Sequence, residues 1–384
     1  VEGSYYKKLI DNSEAQFVSY RWIEKVPLFL KSQISLMSNE KFMVLPMFHK
    51  RNSGFSNKKL IEGPKLIVRD NEERNLNWKL TFQEQSGQIV SVYLNRYFKT
   101  VEQKYEGSKF LDTTALIYPM GPLQSKVSKV ALKRVSEDGL LFSDLLKIMP
   151  QSGVLAQAEN NQFLYPQNDK RFEQVQVYFY LNQMLDWFQD KFKFQMPFLL
   201  EVQTSVGFPG KTNTAFYYNH KIRLGDGDGE TFVDMALDPS IVIHESIHAV
   251  IQATSSLPYD GEGGSLNEGM ADFFTASILK NPKLGEVSYK KASFKRTIDN
   301  SLMRSNVSGG LYHDSGIISG LFWQISQEVG ADIAQKLAWN TLLRLNMASN
   351  FESFKEELLE VIGEEDLKSK NKILEILKTR GWIE

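Results

Sequence analysis

The chain has 384 residues, 42% of them hydrophobic and 24% charged, with a formal net charge of −1. That balance is ordinary for a globular protein and gives no electrostatic reason to expect nucleic acid or an acidic membrane surface as a partner. Cysteine is absent, which excludes disulfides, thiolate nucleophiles and Cys-based zinc sites.

The length exceeds one ordinary core and implies two or three domains. No apolar run is long enough to span a bilayer. The chain opens on "VEGSYYKKL", polar at once and without a signal peptide, as a trimmed product would. Residues 1 to about 155 read as mixed and strand-rich. "NWKLTFQEQSGQIVSVYLN" (77–95) alternates apolar and polar residues around Ser86-Gly87, a hairpin signature. "SKVALKRVSEDGLLF" repeats the pattern around Asp138-Gly139. A break follows at "MPQSG" (149–153), and "YPQNDKR" (165–171) is a polar link. "FEQVQVYFYLNQMLDWFQDKF" predicts a long helix with an aromatic face.

"NTAFYYNHKIRLGDGDGETFVD" reads as an extended segment, a turn and another strand, with Asp226 and Asp228 as turn residues. After 238 the pattern is nearly all helical. Asp238-Pro239 sets a capping residue before a proline at the first helical position. That helix runs to about Thr254 and stops before Pro258. Ser265 opens the next, which ends before Asn281-Pro282. A third starts near Asp314-Ser315 and ends around Gly330, with three or so more beyond it.

Five histidines carry whatever imidazole chemistry there is: His49, His220, His244, His248 and His313. "VIHESIHAV" (242–250) sets two of them and Glu245 in an otherwise apolar helix. His244 and His248 are four apart, so they share one helix face. Two imidazoles so placed can bind one zinc ion, and Glu245, on the flank, can reach a water beside it as general base. The bland alternative is a pair of core histidines bonded to backbone carbonyls. A catalytic zinc needs a third protein ligand. Thr254 occupies the position where one class of such sites supplies a histidine, which excludes that class. "SLNEGMAD" (265–272) offers Glu268 as the ligand, with Asp272 one turn later to accept the outer N–H of His244. Ser265-x-x-Glu268 also reads as a capping box. His313, at a loop-to-helix entry, is the natural oxyanion donor.

With these residues in place, residues 160 to 384 resemble the thermolysin-like zinc peptidases (gluzincins). "NTAFYY" and "GDGDGETF" are similar to the family's edge strand and following turn, and "HESIHAV" to its zinc helix. Nineteen residues separate His248 from Glu268, the thermolysin spacing; the related zinc aminopeptidases use one fewer and carry a G-x-M-E-N segment that is missing here. The resemblance implies Tyr259 beside the oxyanion, His313 as its histidine, Ala215 on the strand that pairs with substrate, Thr214 where the family has a substrate-contacting asparagine, and Arg296 holding a substrate carbonyl. It also implies an apolar pocket for the residue after the scissile bond. Ser308 stands where the family often has an aspartate behind the histidine, with Asp314 as a substitute. Ser240 stands where one calcium aspartate would be, and the acidic ladder is missing, so calcium is not predicted.

The expected fold is α+β: a thermolysin-like two-lobe catalytic unit behind a mixed, strand-rich domain. Residues 1–155 form a propeptide-like or accessory domain, 156–254 a β-containing lobe ending in the zinc helix, and 255–384 a helical lobe. The expected function is that of a secreted or cell-envelope zinc endopeptidase with one zinc per chain, Glu245 as base and a peptide or protein as substrate. The alternatives are an inactive peptidase-fold module that binds peptides or serves as structure, and a zinc aminopeptidase.

Overall fold

A computed structural model describes residues 110–207 and 212–384 throughout, together with 6–8, 17–19, 44, 59–68, 76–83, 89–95 and 100–106. The chain divides into two compact units, one of residues 1–109 with 197–199, the other of 110–196 with 200–384.

In the first unit β1 (Tyr6–Lys8) pairs with β2 (Phe17–Ser19). β3 (Lys59–Val68), β4 (Leu76–Gln83), β5 (Ile89–Leu94) and β6 (Thr100–Glu106) form an antiparallel sheet in chain order. The hairpin read from 77–95 is β4 with β5, paired from Trp78↔Leu94 to Gln83↔Ile89. Its apolar phase, Trp78, Leu80, Phe82, Val90, Val92 and Leu94, is buried. The Ser86-Gly87 turn lies outside the described residues, as does His49.

The second unit begins with β7 (Phe110–Ile117) and β8 (Ser128–Ser136), which pair antiparallel, and β10 (Gln162–Phe163) adds to β7. Asp138-Gly139 does make a turn, but β8 takes its partner from upstream, and Leu140 bridges to Gln157 instead. β9 (Leu146–Pro150) runs parallel to β11 (Leu200–Val206) over five residue pairs. Residues 110–155 are thus built into the sheet of the second unit, and the division falls after Lys109 rather than near 155.

The connection from β9 to β11 is helical, as parallel strands require. It carries α1 (Lys170–Phe192), capped by Asp169. Lys170, at its start, bonds Asp226 (2.6 Å), Asp234 (2.8 Å) and buried Glu173 (2.8 Å). Asp226 is therefore an ion-pair partner more than a turn residue. Asp228 is the turn former, accepting from the N–H groups of Glu230, Thr231 and Phe232. β12 (Ala215–Tyr218) and β13 (Lys221–Gly225) make a hairpin whose turn, Asn219-His220, has φ of 46° and 67°. Two positive φ values mark the turn whose twist matches the strands, and asparagine tolerates them. His220 is thus a turn residue. In the order β12-β13-β11-β9, β12 is an edge.

α2 (Pro239–Thr254) starts and ends as the sequence predicts and is buried from Pro239 to Ile251. α3 (Gly261–Leu279) starts four residues before Ser265, whose hydroxyl lies inside the helix and donates to Gly261 and Leu311 carbonyls. The capping-box reading of Ser265 and Glu268 falls with that start. The glycines at 261, 263 and 264 suggest a loop, but close packing requires those at 263 and 264. A Cβ on Gly264 would stand 2.7 Å from the Tyr259 backbone and 2.9 Å from Leu311, and one on Gly269 2.7 Å from the Ser315 carbonyl. These contacts seat α4 (Leu311–Glu328) against α3. Two short strands, β14 (Lys283–Leu284) and β15 (Arg296–Thr297), pair between α3 and α4. α5 (Ala331–Arg344), α6 (Phe351–Gly363) and α7 (Leu367–Thr379) follow. An aromatic core ties α1, α3 and α5, with Phe192 stacked on Trp339 at 4.7 Å and Phe188 edge-on to Phe274 at 5.4 Å. No helix among the described residues is long and apolar enough to cross a membrane.

Ser240 joins Asp238 to the 285–288 loop. Its hydroxyl donates to Asp238 (2.6 Å) and accepts from Gly285 N–H (2.8 Å). The other oxygen of Asp238 takes the Val287 and Ser288 N–H groups and the Ser288 hydroxyl. One buried carboxylate caps α2 and staples the 285–288 loop to it. Asp238→Ala should lower unfolding stability by about 2–4 kcal/mol, because it strands several buried donors. Denaturant unfolding of Asp238→Ala beside Ser240→Ala checks this; a loss under about 0.5 kcal/mol would show that the staple carries little.

Candidate metal centre and cleft

His244 and His248 lie one turn apart on α2, and both are buried. Each ring is held from behind. His244 Nδ1 lies 2.9 Å from Asp272 Oδ1, and His248 Nδ1 lies 2.8 Å from Asn267 Oδ1. The Asn267 amide nitrogen donates to the Leu257 and Pro258 carbonyls, so its oxygen faces His248 as acceptor. Both partners accept, so both Nδ1 atoms carry the proton and both Nε2 atoms offer lone pairs.

Those Nε2 atoms stand 3.3 Å apart. Glu268 comes to them from α3, with Oε2 3.2 Å from His244 Nε2 and Oε1 3.6 Å from His248 Nε2. Oε2 is buried, and despite that approach it makes no hydrogen bond. Ligands about 2.0–2.1 Å from one tetrahedral zinc ion stand about 3.3 Å apart. The three edges match that spacing, and a His2Glu donor set suits zinc. The chain's own atoms leave a carboxylate oxygen unbonded at the point where a cation would sit.

The surrounding charges are arranged in layers. Burial disfavours a charged His244, yet its bond to Asp272 and the close Glu268 carboxylate raise its pKa to about 9. Burial likewise opposes the Glu268 carboxylate, but the two imidazoles lower it to about 2. Asp272 is held well below the usual carboxylate range despite its burial, by Arg296 and His244. Arg296 Nε and Nη2 grip Asp272 at 2.8 and 2.7 Å, which makes this arginine a brace behind His244.

Glu245 is buried beside His244 and acts electrostatically on Tyr259, Lys295 and Arg296. The Tyr259 ring lies 6.2 Å from that of His248. Burial and the charges of Glu245 and Glu268 raise its phenol to about 12, so it remains an O–H donor at neutral pH. Edge strand β12 is fixed to α2 by the Tyr217 hydroxyl, which donates to Gln252. Ala215 heads that strand opposite Leu224, and the exposed Thr214 precedes it with its carbonyl bonded to Gly225 N–H.

His313 is half-exposed, and Asp314, the expected substitute for the family's aspartate, holds it: Nδ1 lies 2.9 Å from Asp314 Oδ1 and 3.2 Å from Ser308 Oγ. Asp314 also accepts from the N–H groups of Ser308 and Gly309, so this cluster organises the entry loop of α4. Adjacent helix positions point about 100° apart, and Tyr312, one residue earlier, lies in the field of the site. Burial raises its phenol, and Glu268, Glu245 and Asp272 raise it further while Arg296 opposes. The Lys295 ammonium stands 6.0 Å from its ring centroid. Asn267, Tyr312 and Lys295 were not legible as site residues. Only Asn267, a polar residue in an apolar helix beside Glu268, left a trace in the sequence.

Residues 99–252 match the model of the thermolysin metallopeptidase catalytic domain. A bacillolysin of Brevibacillus brevis is 38% identical over 77 residues, which is 20% of this chain and 15% of that protein. A zinc metalloproteinase of Listeria monocytogenes is 28% identical over 179 residues, 41% and 35% of the two chains. An extracellular elastase of Staphylococcus epidermidis is 22% identical over 306 residues, 73% and 59%. The matched part thus spans less than two thirds of the length of each of these relatives. The solved precursor of protealysin, a metalloproteinase from Serratia proteamaculans, shares the fold with a TM-score of 0.54 and 19% identity, covering 72% of this chain and 90% of that one. In its matched part and in its fold, the chain resembles the thermolysin-like metallopeptidases.

Proposed function

We propose that the chain is a zinc-dependent endopeptidase, with His244, His248 and Glu268 as ligands and Glu245 as general base. The observation that carries this reading is the convergence of two Nε2 lone pairs and an unbonded carboxylate oxygen at zinc spacing. When bound, zinc supplies a Lewis acid that makes a neighbouring water acidic near neutral pH. Glu245 takes a proton from the attacking water and returns it to the leaving nitrogen. Tyr259 donates its O–H as charge builds on the carbonyl oxygen. The open edge of β12 at Ala215, with Thr214 before it, pairs with the peptide backbone. Arg296 acts mainly through Asp272, steadying His244. An intact ligand set with its base favours an enzyme over a peptide-binding relic, and the ligand spacing favours an endopeptidase over an aminopeptidase. Residues before Phe110 form a propeptide-like or accessory domain, and action outside the cytoplasm accords with the name of one relative.

Metal analysis should find about one zinc per chain, lost in His248→Ala and Glu268→Ala. The pKa of His244 rises on folding from 6.5 to about 9, so its contribution to metal-free stability is full below 6.5 and fades as pH rises through 9. Zinc needs that proton removed, so its affinity should strengthen over the same window, as competition with a chelator would show. A flat profile would mean that His244 is not a ligand.

Glu245→Gln should retain zinc and lose cleavage of an internally quenched peptide by about a thousandfold or more. Wild-type turnover in that variant would assign the base elsewhere.

The bonds of His313 to Asp314 and Ser308 support giving Tyr312 the larger share in steadying the oxyanion. Tyr312→Phe should lower kcat by about tenfold to a hundredfold, and His313→Ala by less. The reverse order in kcat/KM on one peptide would restore His313 as the donor.

A further inference from the structure

We propose that Lys295 selects substrates with an acidic side chain next to the bond that is cut, a specificity that rests on the peptidase reading above. The root of this residue is fixed. Its N–H bonds the Leu284 carbonyl at 2.8 Å, and its Cβ would lie 2.7 Å from any Cβ on Gly285, so only glycine lets the two strands approach. The next residue is Arg296, locked on Asp272 behind His244. The side chain therefore starts at the border of the metal centre.

Its ammonium stands between two aromatic rings, 5.6 Å from the Phe232 centroid and 6.0 Å from that of Tyr312. Aromatic faces hold a cation in place without neutralising it. Among the described residues no carboxylate forms an ion pair with it. The nearby acids are engaged elsewhere: Asp272 with Arg296 and His244, Glu268 with the imidazoles, and Glu245 as base. Burial and the Arg296 charge lower the Lys295 pKa and outweigh the opposing pull of Glu245, Asp272 and Glu268, none of which pairs with it. A carboxylate on a bound peptide supplies that charge. An apolar side chain would leave the cation unpaired, so the apolar pocket implied by family resemblance does not suit this position.

The test uses three peptides identical but for Glu, Leu or Lys beside the scissile bond. Cleavage is measured with the zinc-loaded full chain, and binding by calorimetry with the zinc-loaded Glu245→Gln chain. Glu should be favoured over Leu by about tenfold or more in both. Lys295→Ala and Lys295→Gln should bring the two within about threefold, and Lys295→Glu should turn the preference toward Lys. Thermal melts and zinc content of each variant confirm an intact fold. Cleavage that favours Leu, or a Glu preference that survives all three substitutions, overturns the proposal and leaves the peptidase reading standing. Selective binding of the Glu peptide by a chain that cuts none of them overturns the peptidase reading and keeps Lys295 as the selector.

Discussion

Two imidazoles must be held in the interior of an apolar helix, and the rest of the site follows from that constraint. Each ring has a polar edge that burial would penalise. Asp272 and Asn267 answer the Nδ1 edges, which turns both Nε2 atoms toward one point. Glu268 can then meet them only if α3 crosses α2 at that height. Arg296 answers the second demand, the burial of Asp272, and ties β15 to the same network. A change in any of these partners acts on the metal through the rings.

A similar economy shows in the scaffold. Lys170 is the cation among Glu173, Asp226 and Asp234, and Asp238 gathers the donors of the 285–288 loop at the start of α2. Each joins a loop to a helix through groups of the chain itself.

The cleft is asymmetric in charge. On the floor, negative groups are balanced by imidazoles and guanidinium. Beside it, the Lys295 ammonium lies near the Phe232 and Tyr312 rings and forms no ion pair among the described residues. The two are linked because Lys295 and Arg296 are neighbours in sequence, and Arg296 holds Asp272 behind His244.

The helix of 239–254, its cap at Asp238 and the clustering of His244, His248, Glu268 and Asp272 were legible in the sequence, because each depends on spacing within a helix or on a cap one residue away. The β4–β5 hairpin was legible for the same reason, since alternation is a local signal. Tertiary contact decided what local pattern cannot carry. The start of α3 moved because Gly263 and Gly264 are needed for close packing and not for a loop. The boundary after Lys109 moved because β9 finds β11 across an intervening helix. At the start of α4, one residue's rotation about the helix axis separates Tyr312, in the field of the site, from His313, tied to Asp314 and Ser308. Sequence names both residues side by side; only the packed direction of the helix determines which of them faces the cleft.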